Sequence, residues 1–373
     1  MANRFEGSVN SATPVAKVIH DRGIRVPDEQ SDVPLLEQLQ AELAKSDIDG
    51  AFAGITYDLA QGNALPADWL VQSPANWGHK ASDLPPGHSD ALALLIRDLV
   101  AGAQRRVDIT LLAPPPDTRF LDGLRDALAT LAERGRPIKV RILIGYYPGA
   151  EVDTGAFLKA LTSGLETQPK AHLSISVAAM RSCVVFEDCD SYSWNHAKIV
   201  SVDGVDALVG GHNMWSADYL VDDPVHDLSM RVHGPAAASA ARYADRLWEY
   251  VCANLDRKPS VSVSNFVSGV SAPGTGCLPS APAPAPPATR ASGGVPILAV
   301  GRMGAGITKD FANQSELARD LVLGAAQRDI RIAQQDLGFA LGRADTIMQY
   351  SDATWKKMAR SSRNTFAPSW QKT

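Results

Sequence analysis

The chain has 373 residues, 45% of them hydrophobic and 21% charged, with a net charge of −5. That length is enough for two packed domains, and no apolar run reaches the roughly 18 residues that would span a membrane. An acidic balance without a Lys/Arg cluster lacks the basic footprint that a nucleic-acid backbone requires, so no nucleic-acid partner is expected.

Residues 1–33 are polar and irregular and read as a tail. They open Met-Ala-Asn-Arg-Phe-Glu-Gly, without the apolar core of a secretory signal. Pro34 to Lys45 carries Leu35, Leu36, Leu39 and Leu43 at helical spacing and predicts an amphipathic packing helix. Residues 62–88, with Trp69, Trp77 and several Gly and Pro, predict a structured loop. From Ser89, expected as an N-cap, helices and strands alternate. Asp90 to Arg106 predicts a helix with Leu92, Leu95, Ile96 and Leu99 on one face, and Val107 to Leu112 a strand. Phe120 to Arg134 predicts a helix stopped at Gly135, Lys139 to Ile144 a strand, Thr154 to Leu165 a helix, and Leu173 to Val177 a strand. Beyond the region of 194–213 come a strand at Leu228 to Val232 and a long helix at Ala236 to Leu255. Such alternation implies an α/β fold whose sheet is covered on both faces.

Residues 259–294 turn to Ser, Val, Pro, Ala and Gly, with Ala-Pro-Ala-Pro-Ala-Pro-Pro at 281–287, and read as an extended linker at a domain boundary. The chain then repeats itself. Arg97-Asp98-Leu99-Val100-Ala101-Gly102-Ala103 returns as Arg319-Asp320-Leu321-Val322-Leu323-Gly324-Ala325, and Val107-Asp108-Ile109 as Ile330-Arg331-Ile332. This is the mark of a duplicated lobe. The expected organisation is a tail at 1–33, a first lobe at 34–258, the linker at 259–294 and a partial second lobe at 295–373. From about Ala340 the strand–helix pattern fades, as a truncation or frameshift would produce.

The chemistry concentrates in 194–213. His196 and Lys198 are two apart on a β-rich stretch, so both side chains are expected on one strand face. A neutral imidazole held beside a fixed cation is a nucleophile toward phosphorus, with Lys198 neutralising the non-bridging oxygens. Asp203 follows at His-x-Lys-x4-Asp spacing, and Gly210, Gly211 and Asn213 form a turn whose amides and side chain can meet an anion. Asp203 is also read as a turn residue that ties motif backbone. None of the other seven histidines is followed two residues later by Lys.

That stretch resembles the signature of the phospholipase D superfamily, and Ser193-Trp194-Asn195-His196 resembles the secreted bacterial enzymes of that name. Asp68-Trp69-Leu70-Val71-Gln72-Ser73-Pro74, Val107 to Pro114, Gly234-Pro235-Ala236-Ala237 and Gln334-Gln335-Asp336-Leu337 are similar as well, so the likeness runs from about 34 to 339. Ala197 departs from it, where those enzymes usually carry Ser. The resemblance implies a mixed β-sheet lobe flanked by helices, followed by an incomplete second copy. It implies a phospholipid substrate at a membrane or micelle surface, a phosphohistidine on His196, hydrolysis or transphosphatidylation, and no metal or other cofactor. It also implies that Asp227 orients His196. Trp194, Trp215, Tyr146 and Tyr192 are aromatic candidates for a quaternary ammonium headgroup. His212, His226 and His233 read as bystanders.

The four cysteines fall in two local pairs without metal-ligand spacing. Cys183 and Cys189 bracket a loop before the motif, and the resembling enzymes carry a disulfide in the region of Cys252 and Cys277. Two disulfides and a secreted or periplasmic location are expected, with four reduced thiols in a cytoplasmic protein as the alternative. Two further alternatives stay open. One is a single-motif phosphodiesterase or nuclease that completes its site as a homodimer, and the other an inactive fragment.

Overall fold

The computed structural model describes residues 33–47, 49–74, 90–168, 170–183, 193–222, 224–257, 260–270, 274–278, 294–304, 306–307 and 314–326. In chain order the elements are α1 (Val33–Lys45), β1 (Tyr57–Asn63), β2 (Leu70–Ser73), α2 (Ala91–Ala101), β3 (Arg106–Leu112), α3 (Thr118–Glu133), β4 (Ile138–Gly145), α4 (Thr154–Leu161) and β5 (Leu173–Cys183). They continue as β6 (Ser193–Trp194), β7 (Lys198–Val202), β8 (Asp206–Gly210), α5 (Ser216–Tyr219), β9 (Asp227–His233), α6 (Pro235–Ala253), β10 (Val261–Val267), β11 (Val295–Val300) and α7 (Gln314–Ala325).

The main sheet runs β10-β5-β4-β3-β7-β8-β9-β2, with β6 attached to β5. β3, β4 and β5 are parallel neighbours, and the remaining pairings are antiparallel. All seven residues of β3 are buried, as a central strand covered on both faces demands. One face receives α2, α3 and α4. Phe120, Leu124, Ala127, Leu128 and Leu131 line a single stripe of α3 and meet Ile109, Val140 and Ile142 in the largest core. The other face receives α6, where Leu247, Trp248 and Val251 pack on Leu143, Ala178 and Met180. The architecture is thus the expected α/β one, a mixed sheet flanked by helices.

Several boundaries differ from the sequence expectation. The helix expected over 90–106 ends at Ala101 because Gly102 caps it, and Arg106 already belongs to β3. Asp90 precedes it without a side-chain cap bond, and Ser89 lies outside the described residues. α4 stops at Leu161, and β5 runs on through Ala178-Ala179-Met180 to Cys183, where burial on both faces outweighs alanine's weak strand preference. The expected loop at 62–88 begins with the end of β1 and contains β2, while 75–89 lie outside the described residues. Within the segment expected as linker, Val261–Val267 form β10, paired along its whole length with β5. Alternating Val and Ser is a strand pattern that composition alone disguises.

A second, two-stranded sheet joins β1 to β11 antiparallel. Leu298 of β11 and Leu321 of α7 share a core with Leu39, Leu43 and Tyr57. Met303, fully buried, enters the core beneath α6. The described residues after 294 therefore pack on elements from the start of the chain. The repeated heptapeptides both lie at helix ends, in α2 and α7. Residues 327–373, which hold Ile330-Arg331-Ile332 and the stretch from Ala340, are outside the described set, as are 1–32.

A buried ionic group fastens α6 to the sheet. Arg106 donates to Asp108 and Asp245, and Arg141 donates to the same two carboxylates at 2.7 Å each. The side chain of Asp108 is 2% exposed. Removing one member leaves a buried cation uncompensated. Asp108→Ala is expected to cost about 3–5 kcal/mol of stability, measured by urea denaturation.

Candidate active site

The site lies where the carboxyl ends of β3 and β4 meet the amino end of β7. Lys198 opens β7, and His196 sits in the three-residue link after β6 rather than on a strand with it. The link is held tightly. Asn195 is buried, its Nδ2 donates to the carbonyls of Leu111 at 3.2 Å and Ala197 at 3.4 Å, and Thr110 Oγ1 donates to Ala197 O at 3.0 Å. The Asn195 backbone passes so close to Gly145 that a Cβ there would overlap its carbonyl oxygen. Asn195 and Gly145 thus aim the imidazole, a role that no residue-type pattern announced.

Lys198 Nζ lies 3.0 Å from His196 Nδ1 and donates to His196 O at 2.8 Å. His196 reaches solvent while Lys198 is buried. Desolvation, and then the Lys198 charge, bring the His196 pKa down to about 4, so its ring is neutral at neutral pH. Desolvation brings Lys198 down to about 8, with the charge of Asp227 opposing the fall.

Gly210 pairs with Lys198 across β7 and β8, and Gly211 N donates to Leu228 O at 2.8 Å. A Cβ on Gly211 would overlap the Asp227 carboxylate, and one on Gly210 would overlap Ser229. These glycines admit β9 and its carboxylate. Asn213 is buried, and its Oδ1 accepts from Leu112 N at 3.1 Å, which leaves Nδ2 as the donor end. The structure therefore gathers His196, Lys198, Gly210, Gly211, Asn213 and Asp227 at one end of the sheet.

Two expectations need correction, those for Asp227 and Tyr146. Asp203 is at the opposite end, five residues along β7 or roughly 16 Å away. There its carboxylate accepts from the backbone N–H groups of Gln104, Arg105 and Arg106, so it anchors the turn and takes no part at the imidazole. Its φ of 54° is a left-handed turn conformation. Asp227 does not hold His196. Its Oδ2 accepts from Tyr219 at 3.0 Å and its Oδ1 from Leu228 N at 2.9 Å, while Lys198 occupies Nδ1 of His196. Tyr146 is buried under the guanidinium of Arg181, 4.9 Å from the ring centroid, and is closed to a headgroup.

Of the other aromatic candidates, Trp194 is half-buried two residues before His196, with its ring 6.4 Å from that of exposed Tyr147. Trp215 donates Nε1–H to Pro114 O at 2.9 Å. Tyr192 lies outside the described residues.

His212 lies in the interior beside the site. It is buried, with Nε2 3.0 Å from Ser73 Oγ and Nδ1 2.7 Å from Ser229 Oγ. Ser73 gives its hydroxyl proton to Val225 O at 2.6 Å, so it accepts from Nε2–H, and Ser229 donates to Nδ1. Burial brings the His212 pKa down to about 4, opposed by the charge of Asp227. Ser73 and Ser229 were not identified from sequence, although Ser73 falls in one of the similar stretches. His226 is exposed and directly precedes Asp227, while exposed His233 pairs with Asp206 at the far end of β8.

A disulfide joins Cys252 to Cys277, and Cys183 is also disulfide-bonded. Cys189 lies outside the described residues. Among the described residues no group of three or more His, Cys, Asp or Glu side chains is arranged to hold a metal ion.

No family model matches the chain. A phospholipase D from Streptomyces antibioticus is 34% identical over 358 residues, covering 82% of this chain and 61% of that protein. The chain thus spans about three fifths of the length of that relative. Among solved structures, NucT from Helicobacter pylori gives a TM-score of 0.33 at 15% identity, covering 51% of this chain and 96% of that one. Nuc from Salmonella typhimurium, a phospholipase D family member, gives 0.30 at 14% identity, covering 50% and 95%. The phosphatidylserine synthase of Haemophilus influenzae Rd KW20 gives 0.32 at 14%, covering 60% and 42%.

Lys198→Met removes the charge that adds to desolvation at His196. The His196 pKa is expected to rise from about 4 toward its ordinary value, followed by NMR titration of labelled histidine.

Proposed function

We propose that the chain belongs to the phospholipase D superfamily, as its similarity to the Streptomyces antibioticus enzyme supports, and that it is a phosphodiesterase that cleaves the headgroup from phosphatidylcholine-type phospholipids. The observation that carries this reading is the neutral imidazole of His196 seated against Lys198 at an open strand end.

Before substrate arrives, the Lys198 ammonium can only donate, so Nδ1 accepts and the ring proton resides on Nε2. A phosphodiester entering the site offers Nζ its non-bridging oxygens. Nδ1 is then free to carry the ring proton, and Nε2 presents its lone pair to phosphorus. The P–N bond forms as the P–O bond to the headgroup breaks, and the departing oxygen takes a proton. Lys198, the Asn213 amide and the Gly210–Gly211 turn hold the charge that develops on the phosphoryl oxygens. Water then attacks phosphorus, the P–N bond breaks, and phosphatidic acid leaves with the imidazole restored. An alcohol in place of water gives the transphosphatidylated lipid.

The departing headgroup needs an acid. A second imidazole is the proposed acid, and a second copy of the chain in a homodimer is one source of it. Trp194 and Tyr147 are the proposed aromatic faces for the headgroup ammonium, since both lie near the imidazole and neither is closed off as Tyr146 is. The Cys252–Cys277 disulfide supports a secreted or periplasmic setting.

The test is choline release from phosphatidylcholine micelles by the purified chain. Release is expected from the parent, with His196→Ala lowering it by about 10³-fold or more. Release should fall on the acid side near pH 4 as His196 takes up a proton, and on the alkaline side near pH 8 as Lys198 loses one. Equal release by parent and His196→Ala, or cleavage confined to nucleic acid, would overturn the reading.

A further inference from the structure

Tyr219 and His212 take no part in the displacement set out above, yet both are buried directly behind it, at 6% and 7% exposure. The two rings meet edge-on, with centroids 5.1 Å apart and planes at 64°. Tyr219 gives its hydroxyl proton to Asp227 Oδ2 at 3.0 Å. His212 cannot swing, because hydroxyls from β2 and β9 hold both of its nitrogens. The carboxylate of Asp227 is therefore confined from three directions. Tyr219 holds one oxygen, Leu228 N–H holds the other, and Gly211 closes in where any side chain would collide.

We infer that Tyr219 is a positioning residue that fixes the Asp227 carboxylate against Gly211, next to the Gly210 that pairs with Lys198, and that His212 is the wall that fixes Tyr219.

A buried ammonium needs such a device. Desolvation drives Lys198 toward the neutral amine, and the Asp227 charge is the force that opposes it. A neutral amine would clamp no phosphate. His226 directly precedes Asp227, and further ionisable groups come from three other places. Lys198 comes from β7, with His196 beyond it. His212 comes from the turn after β8. Tyr219 comes from α5, accompanied by Asp218, whose charge also acts on Tyr219. Lys198, brought down to about 8, changes charge just above neutral pH, so displacement of the carboxylate should be read there.

The functional meaning of this inference rests on Lys198 as the phosphate clamp, but its test does not require activity. Lysines of the intact chain are labelled by reductive methylation with 13C-formaldehyde, and the Lys198 resonance is identified by its loss in Lys198→Arg. The Lys198 midpoint is expected to fall by about 0.5 pH unit or more in Tyr219→Phe, and in the same direction in His212→Asn, which keeps a polar side chain but removes the ring. Asp227→Asn sets the size of the full effect. The alkaline limit of choline release should move with the midpoint. An unchanged or raised midpoint in Tyr219→Phe, at an unchanged melting temperature, overturns the inference. If Tyr219→Phe does not fold, the same reading is taken from His212→Asn. Failure of the phosphodiesterase reading would look different, as a parent protein that releases no choline while the Lys198 midpoint still moves.

Discussion

A cation buried at the end of a β-strand is the constraint on which the site depends. Lys198 begins a five-residue strand that is buried throughout. Holding charge there is unfavourable unless acceptors and a counter-charge are nearby. The surroundings supply both, as the carbonyl and Nδ1 of His196 on one side and the field of Asp227 on the other. Desolvation lowers the pKa of both the ammonium and the solvent-reaching imidazole, and the Lys198 charge lowers that of the imidazole further, so one corner prepares a nucleophile and an anion clamp together.

That corner exists because three backbones approach more closely than side chains allow. Gly145 admits Asn195, Gly210 admits Ser229, and Gly211 admits Asp227. One contact joins the motif to β4 and two join it to β9, and each would be lost to a single methyl group. The sheet itself is secured farther off. The arginine–aspartate group at the opposite end of β3 and the Asp203 carboxylate over 104–106 hold the strands in register, and neither approaches the reacting groups.

The helices and strands around the main core were legible because their apolar spacing matches their period, as in α3 and β3. The motif residues were legible because a histidine, a lysine and a glycine pair at that spacing suit few other purposes. What escaped was non-local. Asp203 and Asp227 are both carboxylates near the motif, and only the pairing of strands shows that one caps a turn about 16 Å off while the other lies against Gly211 at the site. Tyr146 was chosen as an aromatic near the site, but it lies at a strand's end on the buried side. His212 read as a bystander because its two serine partners are 139 and 17 residues away. β10 was hidden by composition, since Val-Ser alternation beside a Pro/Ala run looks like linker until β5 is found beside it.

The hydrogen bonds around His212 all point one way. A proton on Ser229 faces the imidazole, the imidazole proton faces Ser73, and the proton of Ser73 faces the carbonyl of Val225. A carbonyl passes nothing on. To relay a proton, this row would have to turn two hydroxyls and exchange the tautomer of a ring that is loath to become charged. It is a polarised dead end that holds the ring in place and passes no proton toward His196.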